Sequence, residues 1–206
     1  MTGFFYENNL TDKGISKVII GIDEAGRGPV AGPLVVGCVA YSEDLGLIPL
    51  KDSKRLSAFQ REFAKNKLLL LSKAWSIGVC HAREIDRWGI TTALRIAAKR
   101  AVNALWVEPD IVLMDGNLDP CLGLPTVLIV KGDNISGTIA AASIIAKTFR
   151  DDIMRALHKS YPQYGFSFHK GYLTKDHATM IERFGVSPEH RLSFAPLKHM
   201  LKPCDV

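Results

Sequence analysis

The sequence has few of the residues that bind soft metals or form disulfides. Its four cysteines, Cys38, Cys80, Cys121 and Cys204, include no Cys-x-x-Cys pair of the kind found in zinc sites and redox centres. Cys38 and Cys80 lie in apolar, strand-like runs, which predicts buried free thiols at these positions. Because free thiols are typical of reducing compartments, we expect a cytoplasmic protein.

Long apolar runs are also missing. None reaches the roughly eighteen residues that a membrane-spanning helix needs, and the first residues, MTGFFYENNLTDKG, lack the basic and apolar segments of a secretory signal. We therefore expect no membrane span and no membrane partner. The net charge of +5 weakly favours an anionic partner such as nucleic acid.

Several common catalytic motifs are absent. The segment GRGPVAG is one residue too long for GxGxxG, and its Pro29 lacks the amide that a phosphate cradle uses. No GK[ST], HExxH or GxSxG motif occurs, which argues against a P-loop, a zinc peptidase of that type and a nucleophile elbow.

Strand-like and helix-like segments alternate along most of the chain. Apolar runs at 17–22, 34–41, 74–80, 108–117 and 124–133 predict strands, and the segments 57–73, 89–106 and 136–161 predict helices. This pattern indicates an α/β fold with a sheet that is parallel in its later part. In the first helix Phe59, Phe63 and Leu70 fall near one face, which predicts a buried stripe. We expect a single domain over 1–206, with a lead-in over 1–15 and a C-terminal helical and loop extension over about 160–206.

Acidic residues stand where predicted strands end. Asp23 and Glu24 end the first strand, and Asp115 ends the fourth. The carboxyl ends of strands are where sites form in open α/β sheets. Neighbouring side chains on a strand point to opposite faces, but the glycine-rich turn after Glu24 allows the backbone to leave extended geometry, so that both acids can converge.

The long helix carries a second polar stripe. Ser143, Lys147 and Asp151 follow each other at a spacing of four residues. Taken alone, Lys147 and Asp151 are better read as an exposed ion pair. Together with the strand-end acids, Asp151 would form a cluster whose members repel each other unless cations are present. Because these acids have no His or Cys among them, the hard cations Mg²⁺ or Mn²⁺ fit best, and two such ions roughly 4 Å apart support phosphodiester hydrolysis.

Six motifs then occur in one order along the chain: GIDEAGRGPVAGPLVV, KDSKRL, VLMDGN, AAASIIAKTFRD, HKGY and HRLSF. Together they resemble the bacterial ribonuclease HII (type 2 ribonuclease H) family from about residue 18 to about residue 195. The resemblance implies a ribonuclease H-like fold, with a five-stranded mixed sheet flanked by helices and a C-terminal helical segment. It also implies endonucleolytic cleavage of RNA in RNA–DNA hybrids, including single ribonucleotides embedded in duplex DNA, with 3′-hydroxyl and 5′-phosphate ends.

The resemblance assigns roles to residues at matching motif positions. The acids that hold Mg²⁺ or Mn²⁺ would be Asp23, Glu24, Asp115 and Asp151; Asp151 is preferred to Asp152 because the family's acid directly follows the arginine of the motif. Recognition of the junction from ribonucleotide to deoxyribonucleotide would fall to Gly26, Arg27, Gly28 and Tyr172. The remaining substrate contacts, mostly to phosphates, would come from Lys54, Ser143, Lys147, Lys170, Arg191 and Ser193.

Physical chemistry supports these roles without requiring them. Glycines allow backbone amides to approach a sugar closely, and backbone groups can hydrogen-bond the 2′-hydroxyl that distinguishes RNA from DNA. Taken alone, however, the glycines are better read as a tight turn, and Tyr172 as a half-buried surface aromatic. Contacts with phosphates position a duplex rather than read its sequence, so we expect no base specificity.

Other interpretations remain at this stage. Ribonuclease HIII is similar, but it has a long N-terminal domain and a lysine within its glycine motif, whereas this chain has Arg27. A catalytically silent hybrid-binding module, a DNA nuclease or a phosphoryl transferase could share the pattern. The complete set of four acids favours an enzyme. We expect a monomer whose partners are RNA–DNA hybrids and DNA duplexes containing ribonucleotides. Lys51 and Phe149 depart from the common family pattern without touching the acids.

Overall fold

The computed structural model describes residues 3–14, 18–48, 50 and 58–200. Its centre is a five-stranded sheet in the order β3-β2-β1-β4-β5. The strands are β1 (Ile19–Ala25), β2 (Leu34–Ala40), β3 (Ala74–Cys80), β4 (Ile111–Asp115) and β5 (Thr126–Ile129). Strands β1, β2 and β3 pair antiparallel, whereas β1 pairs parallel with β4 and β4 with β5. The predicted strands and the mixed sheet are thus confirmed.

Helices cover the sheet and form the C-terminal extension. They are α1 (Phe5–Asp12), α2 (Ala58–Leu71), α3 (Ala82–Asn103), α4 (Gly137–Ser160), α5 (Phe166–His169), α6 (Lys175–Phe184) and α7 (Leu197–Met200). Short 3-10 turns span Glu43–Leu47, Gly132–Asn134 and Pro162–Tyr164. The helical extension is confirmed, and no helix within the described ranges is long and apolar enough to cross a membrane.

Helix α4 lies directly on the central strands because glycines remove the side chains between them. A Cβ atom on Gly21 of β1 would lie 2.3 Å from the carbonyl carbon of Thr138, and one on Gly37 of β2 would lie 2.3 Å from the carbonyl oxygen of Ala142. Both distances are far inside van der Waals contact, so the close approach of helix and sheet requires glycine. This contact brings the middle of α4 to the carboxyl end of β1.

Helix α3 covers the opposite face, and it differs from its prediction at the N-terminus. The sequence pattern predicted a helix from residue 89, but the structure begins it at Ala82, with non-helical backbone at Gly89 (φ 75°, ψ 158°). The predicted segment is therefore the second half of a kinked helix. Its Ala97 and Ala101 pack against Ile22 and Cys38 of the sheet in the main apolar core.

The predicted buried stripe of α2 is wrong. Phe59, Phe63 and Leu70 are 81%, 55% and 83% exposed. The helix instead buries Ala64 and Leu68, because that face is the one turned to α4.

The cysteine prediction is confirmed at the two strand positions. Cys38 and Cys80 are buried and not in disulfides. Burial raises the pKa of the Cys38 thiol to about 12, so it stays protonated and unreactive.

The C-terminal extension packs on the loop that follows β1. Val30 and Ala31 from this loop share an apolar cluster with Met154 of α4, Phe166 of α5 and Ile181 of α6. Residues far apart in the chain therefore fix the loop at the carboxyl end of β1.

Candidate active site

An open cavity of about 420 Å³ lies at the carboxyl end of β1. Four parts of the chain line it: the end of β1 with the following turn, helix α2, helix α4, and the loop after α5. The lining residues are Glu24, Ala25, Gly26, Arg27, Gly28, Arg61, Lys147, Arg150, Asp151, Lys170 and Tyr172. Most residues of the predicted site therefore share one cavity.

Two of the predicted acids are neighbours because their strands are parallel. Ile22 of β1 pairs with Met114 of β4, so Asp23 and Asp115 each follow a paired residue at the same edge of the sheet. The Oδ1 atom of Asp115 accepts a hydrogen bond from the Gly132 amide at 2.6 Å, which fixes the carboxylate at the strand end.

Asp23 is the most deeply buried acid of the site, at 6% exposure. Burial raises its pKa to about 7, and the negative charges of Glu24 and Asp115 add to this rise. Hydrogen bonds from the Ser143 hydroxyl and from the Glu24 amide, the latter at 2.8 Å, act in the opposite direction. Asp23 therefore lies close enough to Glu24 and Asp115 for their negative charges to interact.

Glu24 and Asp151 each have an arginine partner. The Arg27 guanidinium lies 3.5 Å from Glu24 Oε1. Burial still raises the pKa of Glu24, because the charge of Arg27 only partly offsets it. On α4, Asp151 pairs with Arg61 of α2 at 3.6 Å.

The choice of Asp151 over Asp152 agrees with the geometry. Asp151 lines the cavity, whereas Asp152 pairs with Lys65 at 3.5 Å and with Arg155. The two residues follow each other on a helix, so they point about 100° apart, and only one of them can face the strand ends.

The four acids supply oxygen donors of the type that Mg²⁺ and Mn²⁺ prefer. Among the described residues, no three His, Cys, Asp or Glu side chains stand in an arrangement that would hold an ion as it is. The arginine partners of Glu24 and Asp151 compete for the same oxygens. The oxygen donors and the negative charge of the four acids therefore suit such a cation, although the side chains do not form a complete coordination site in this structure.

The two glycines of the turn differ in the space around them. Gly26 has a φ of 92°, and a Cβ atom there would lie 2.1 Å from Nε of Arg150 and 2.6 Å from the Pro33 carbonyl oxygen. At Gly28 the nearest atom to a Cβ would be Cε1 of Tyr172, at an ordinary 3.7 Å. Gly26 is thus required by the fold, whereas Gly28 faces the exposed Tyr172 ring across a narrow gap.

Arg191 differs from its prediction as a phosphate contact. Its side chain is fully buried and donates hydrogen bonds to the carbonyls of Gly26 at 2.7 Å, Arg27 at 3.3 Å and Gly32 at 2.9 Å. A phosphate cannot reach a guanidinium enclosed in this way, so in this structure Arg191 holds the turn.

The other predicted substrate residues lie in different settings. Ser143 is fully buried, and its hydroxyl accepts a hydrogen bond from Lys147 at 2.8 Å, so it orients Asp23 and Lys147 rather than facing the cavity. Ser193 is exposed, but its hydroxyl donates to Asp86 at 2.6 Å. Lys147 and Lys170 line the cavity. Lys54 lies outside the described residues.

Sequence reasoning missed two arginines that line the cavity. Arg150 directly precedes Asp151, and its position between an apolar residue and an acid of the site was the available signal. Arg61 had no such signal, because its approach to Asp151 depends on how α2 packs on α4.

Known proteins share both the sequence and the fold. The family model described as ribonuclease HII matches residues 20–197. The chain is 47% identical to the ribonuclease HII of Geobacillus kaustophilus (strain HTA426), covering 96% of this chain and 75% of that protein. The crystal structure of the ribonuclease H2 from Pyrococcus horikoshii OT3 superposes with a TM-score of 0.78 at 27% identity, covering 89% of this chain and 97% of that one. The crystal structure of Bst-RNase HIII in complex with Mn²⁺ shares the fold, with a TM-score of 0.70 at 20% identity over 88% of this chain and 68% of that one.

Proposed function

The chain belongs to the ribonuclease HII family, and from that premise we propose that it cleaves the RNA strand of RNA–DNA hybrids and single ribonucleotides embedded in duplex DNA. Ribonuclease H activity, the endonucleolytic hydrolysis of a phosphodiester bond, follows from the family. The products we propose are 3′-hydroxyl and 5′-phosphate ends. The enzyme would act as a single domain in the cytoplasm, where the free buried thiols Cys38 and Cys80 are stable.

One observation carries this proposal: the acids Glu24 and Asp151 share one cavity with the cations Lys147 and Lys170. The parallel strands β1 and β4 place Asp23 and Asp115 at one sheet edge. Neither residue lines the cavity itself, but Glu24, which follows Asp23 and interacts with the charge of Asp115, does so. A phosphodiester needs cationic groups to bind it and acids to support attack on phosphorus, and this cavity supplies both.

We propose that Asp23, Glu24, Asp115 and Asp151 hold Mg²⁺ or Mn²⁺. Their oxygen donors support this, and so does the repulsion of Asp115 with Asp23 and with Glu24, which a divalent cation would relieve. Such ions, when bound, activate water and neutralise charge on the phosphate and the leaving oxygen. Ser143 and the Gly132 amide orient Asp23 and Asp115, while Arg27 and Arg61 balance the charge of Glu24 and Asp151.

Substrate selection would take place beside these acids. Gly28 and Tyr172 face each other at the cavity wall, where the backbone of the turn can reach a 2′-hydroxyl and the ring can pack on the next sugar. Arg27, Lys147 and Lys170 would bind phosphates.

The test uses a DNA duplex with one ribonucleotide, the same duplex without it, and an RNA–DNA hybrid. Each is incubated with Mg²⁺, with Mn²⁺ or with EDTA. We expect incision at the ribonucleotide and in the hybrid RNA strand with either metal, and none with EDTA or in the all-DNA duplex. Binding of the hybrid without metal-dependent incision would instead indicate a silent binding module. Incision of the all-DNA duplex would indicate a DNA nuclease.

A further inference from the structure

Two arginines are buried side by side beneath the turn that follows β1. Arg150 of α4 is 4% exposed and Arg191 is 0% exposed. Within the part of the chain that the structure describes, neither guanidinium forms an ion pair with a carboxylate. A buried charge destabilises a fold unless strong hydrogen-bond partners compensate it. The groups that accept hydrogen bonds from Arg150 and Arg191 therefore indicate the role of these two arginines.

Backbone carbonyl groups are those partners. Arg150 donates to the carbonyls of Ala31 at 3.3 Å, Pro33 at 2.9 Å and Lys170 at 2.9 Å. Arg191 donates to three others in the same loop, those of Gly26, Arg27 and Gly32, at 2.7–3.3 Å. Two arginines from separate parts of the chain therefore hold five carbonyls of the 26–33 loop, together with the carbonyl two residues before Tyr172.

Two buried arginines are not the most stabilising way to fill the space beneath the 26–33 loop. Burial lowers the pKa of Arg191 to about 9, and the positive charge of Arg150 is the next cause of that fall. Apolar side chains of similar volume often stabilise a fold as well as buried charges do. What apolar side chains cannot do is fix the direction of six carbonyl groups.

The direction of the carbonyls determines where the neighbouring amides point. In a trans peptide the C=O of one residue and the N–H of the next point in opposite directions. The carbonyls of Gly26 and Arg27 point inward to Arg191, so the N–H groups of Arg27 and Gly28 point away from it. Both residues line the cavity.

We propose that Arg150 and Arg191 are positioning residues for ribonucleotide recognition, which hold the 26–33 loop so that the N–H groups of Arg27 and Gly28 face the sugar edge of the substrate. The inference rests on the proposed function, because it assigns a device to the same site. It also explains why residue 26 is a glycine: a Cβ atom there would lie 2.1 Å from Nε of Arg150, so the guanidinium occupies the space that a side chain would need.

The test compares Arg191→Lys and Arg150→Lys with the control Arg155→Lys. Lysine keeps the positive charge but loses the planar fork that binds several carbonyls at once. Arg155 lies on the same helix as Arg150, is largely exposed and pairs with Asp152 away from the cavity lining. Dissociation constants are measured in EDTA for the duplex with one ribonucleotide and for the matched all-DNA duplex. Their ratio measures discrimination.

We expect the discrimination ratio to fall about tenfold in each buried-arginine variant, because fixed charge-assisted hydrogen bonds are lost. Affinity for the all-DNA duplex should stay within about twofold, since the phosphate contacts remain. Arg155→Lys should keep the wild-type ratio. Folded variants that keep the wild-type ratio would overturn the inference, even if their melting temperatures fall.

Two further outcomes keep the inference separate from the proposed function. If the wild type incises the ribonucleotide duplex but shows a ratio of one, the inference fails and the proposed function stands. If the wild type discriminates but never incises, the proposed function fails and the variants still test the loop.

If both lysine variants fail to fold, hydrogen exchange in the wild type decides. The amides of Val30 and Ala31 donate to the Gly171 carbonyl and that of Gly32 to the Glu189 carbonyl, at 2.8–3.2 Å. A held loop predicts slow exchange at these three amides, although they lie outside the strands. Exchange as fast as in an exposed turn would overturn the inference.

Discussion

Alanine at Gly26 should reduce the stability of the fold, whereas alanine at Gly28 should reduce substrate recognition and leave stability nearly unchanged. At Gly26 the added methyl meets two obstacles, the φ of 92° and the Arg150 guanidinium at 2.1 Å. Backbone strain of this kind costs roughly 1–3 kcal/mol, and overpacking costs a further ~1–3 kcal/mol. The guanidinium cannot move aside cheaply, because three carbonyls hold it. We expect Gly26→Ala to lower the free energy of unfolding by about 2–6 kcal/mol.

Gly28→Ala is the matched control for stability and the sharper test of recognition. Its methyl would lie 3.7 Å from the Tyr172 ring, which is ordinary contact, so the free energy of unfolding should change by less than about 0.5 kcal/mol. The methyl would narrow the gap in which we place the ribose, so kcat/KM for the ribonucleotide duplex should fall by about tenfold or more.

Urea unfolding and incision assays on both glycine variants check these expectations. The description of the space around the two glycines would be refuted if Gly26→Ala were as stable as the wild type. It would also be refuted if Gly28→Ala lost as much stability as Gly26→Ala. A Gly28→Ala enzyme with wild-type kcat/KM would refute the placement of the ribose.

Three other predictions follow from the described contacts. Asp115→Asn should reduce incision to background, while its affinity for the hybrid, measured by fluorescence anisotropy, stays within about threefold of wild type because phosphate contacts dominate affinity. Incision near the wild-type rate would contradict the assignment of Asp115 to the active site. Burial lowers the pKa values of His177 and His190 to about 4, so the folded state keeps them neutral. The raised pKa values of Asp23 and Glu24 act in the opposite direction, so the measurement uses the Asp23→Asn, Glu24→Gln background. There the free energy of unfolding should fall as the pH drops below about 6.5, by about 2 kcal/mol at pH 5 for one histidine. As a control, replacing the exposed His199 with Gln should leave this fall unchanged when the free energy of unfolding is measured by urea titration at each pH. A free energy of unfolding that does not change with pH would refute the prediction. Glu7→Ala should cost roughly 1.5–3 kcal/mol, because its buried carboxylate accepts from the Ser136 hydroxyl and the Thr138 amide at the start of α4; thermal unfolding within 1 °C of wild type would contradict this.

The sequence allowed the sheet and its acids to be predicted because both depend on local signals. Buried strands read as continuous apolar runs, and an acid at the end of such a run stands out. The register of β1 with β4 then brings Asp23 and Asp115 to one edge without further information, since the ends of adjacent parallel strands coincide. These parts of the site follow from pattern and topology.

The roles of the arginines could not be predicted in this way. The prediction of Arg191 as a phosphate contact came from its motif position, and an arginine taken alone is also expected at the surface. Its burial depends on the docking of residues 186–194 against the loop after β1, which is a contact between segments about 160 residues apart. The exposed Phe59 and Phe63 of α2 show the same limit, because helical spacing identifies a face but not what covers it.

The two halves of the site are built on supports of different kinds. Asp23, Glu24 and Asp115 lie on central strands, whose positions are fixed by sheet hydrogen bonds and by α4 packed on Gly21 and Gly37. The adjoining turn has no such ladder. It is held by side chains and carbonyls of the C-terminal segments, which also carry Tyr172 and Lys170. The ribonucleotide recognition that we propose would therefore depend on the packing of the C-terminal extension, whereas the positions of the strand-end acids would not. Changes that loosen the extension should reduce discrimination before they reduce hydrolysis of the hybrid.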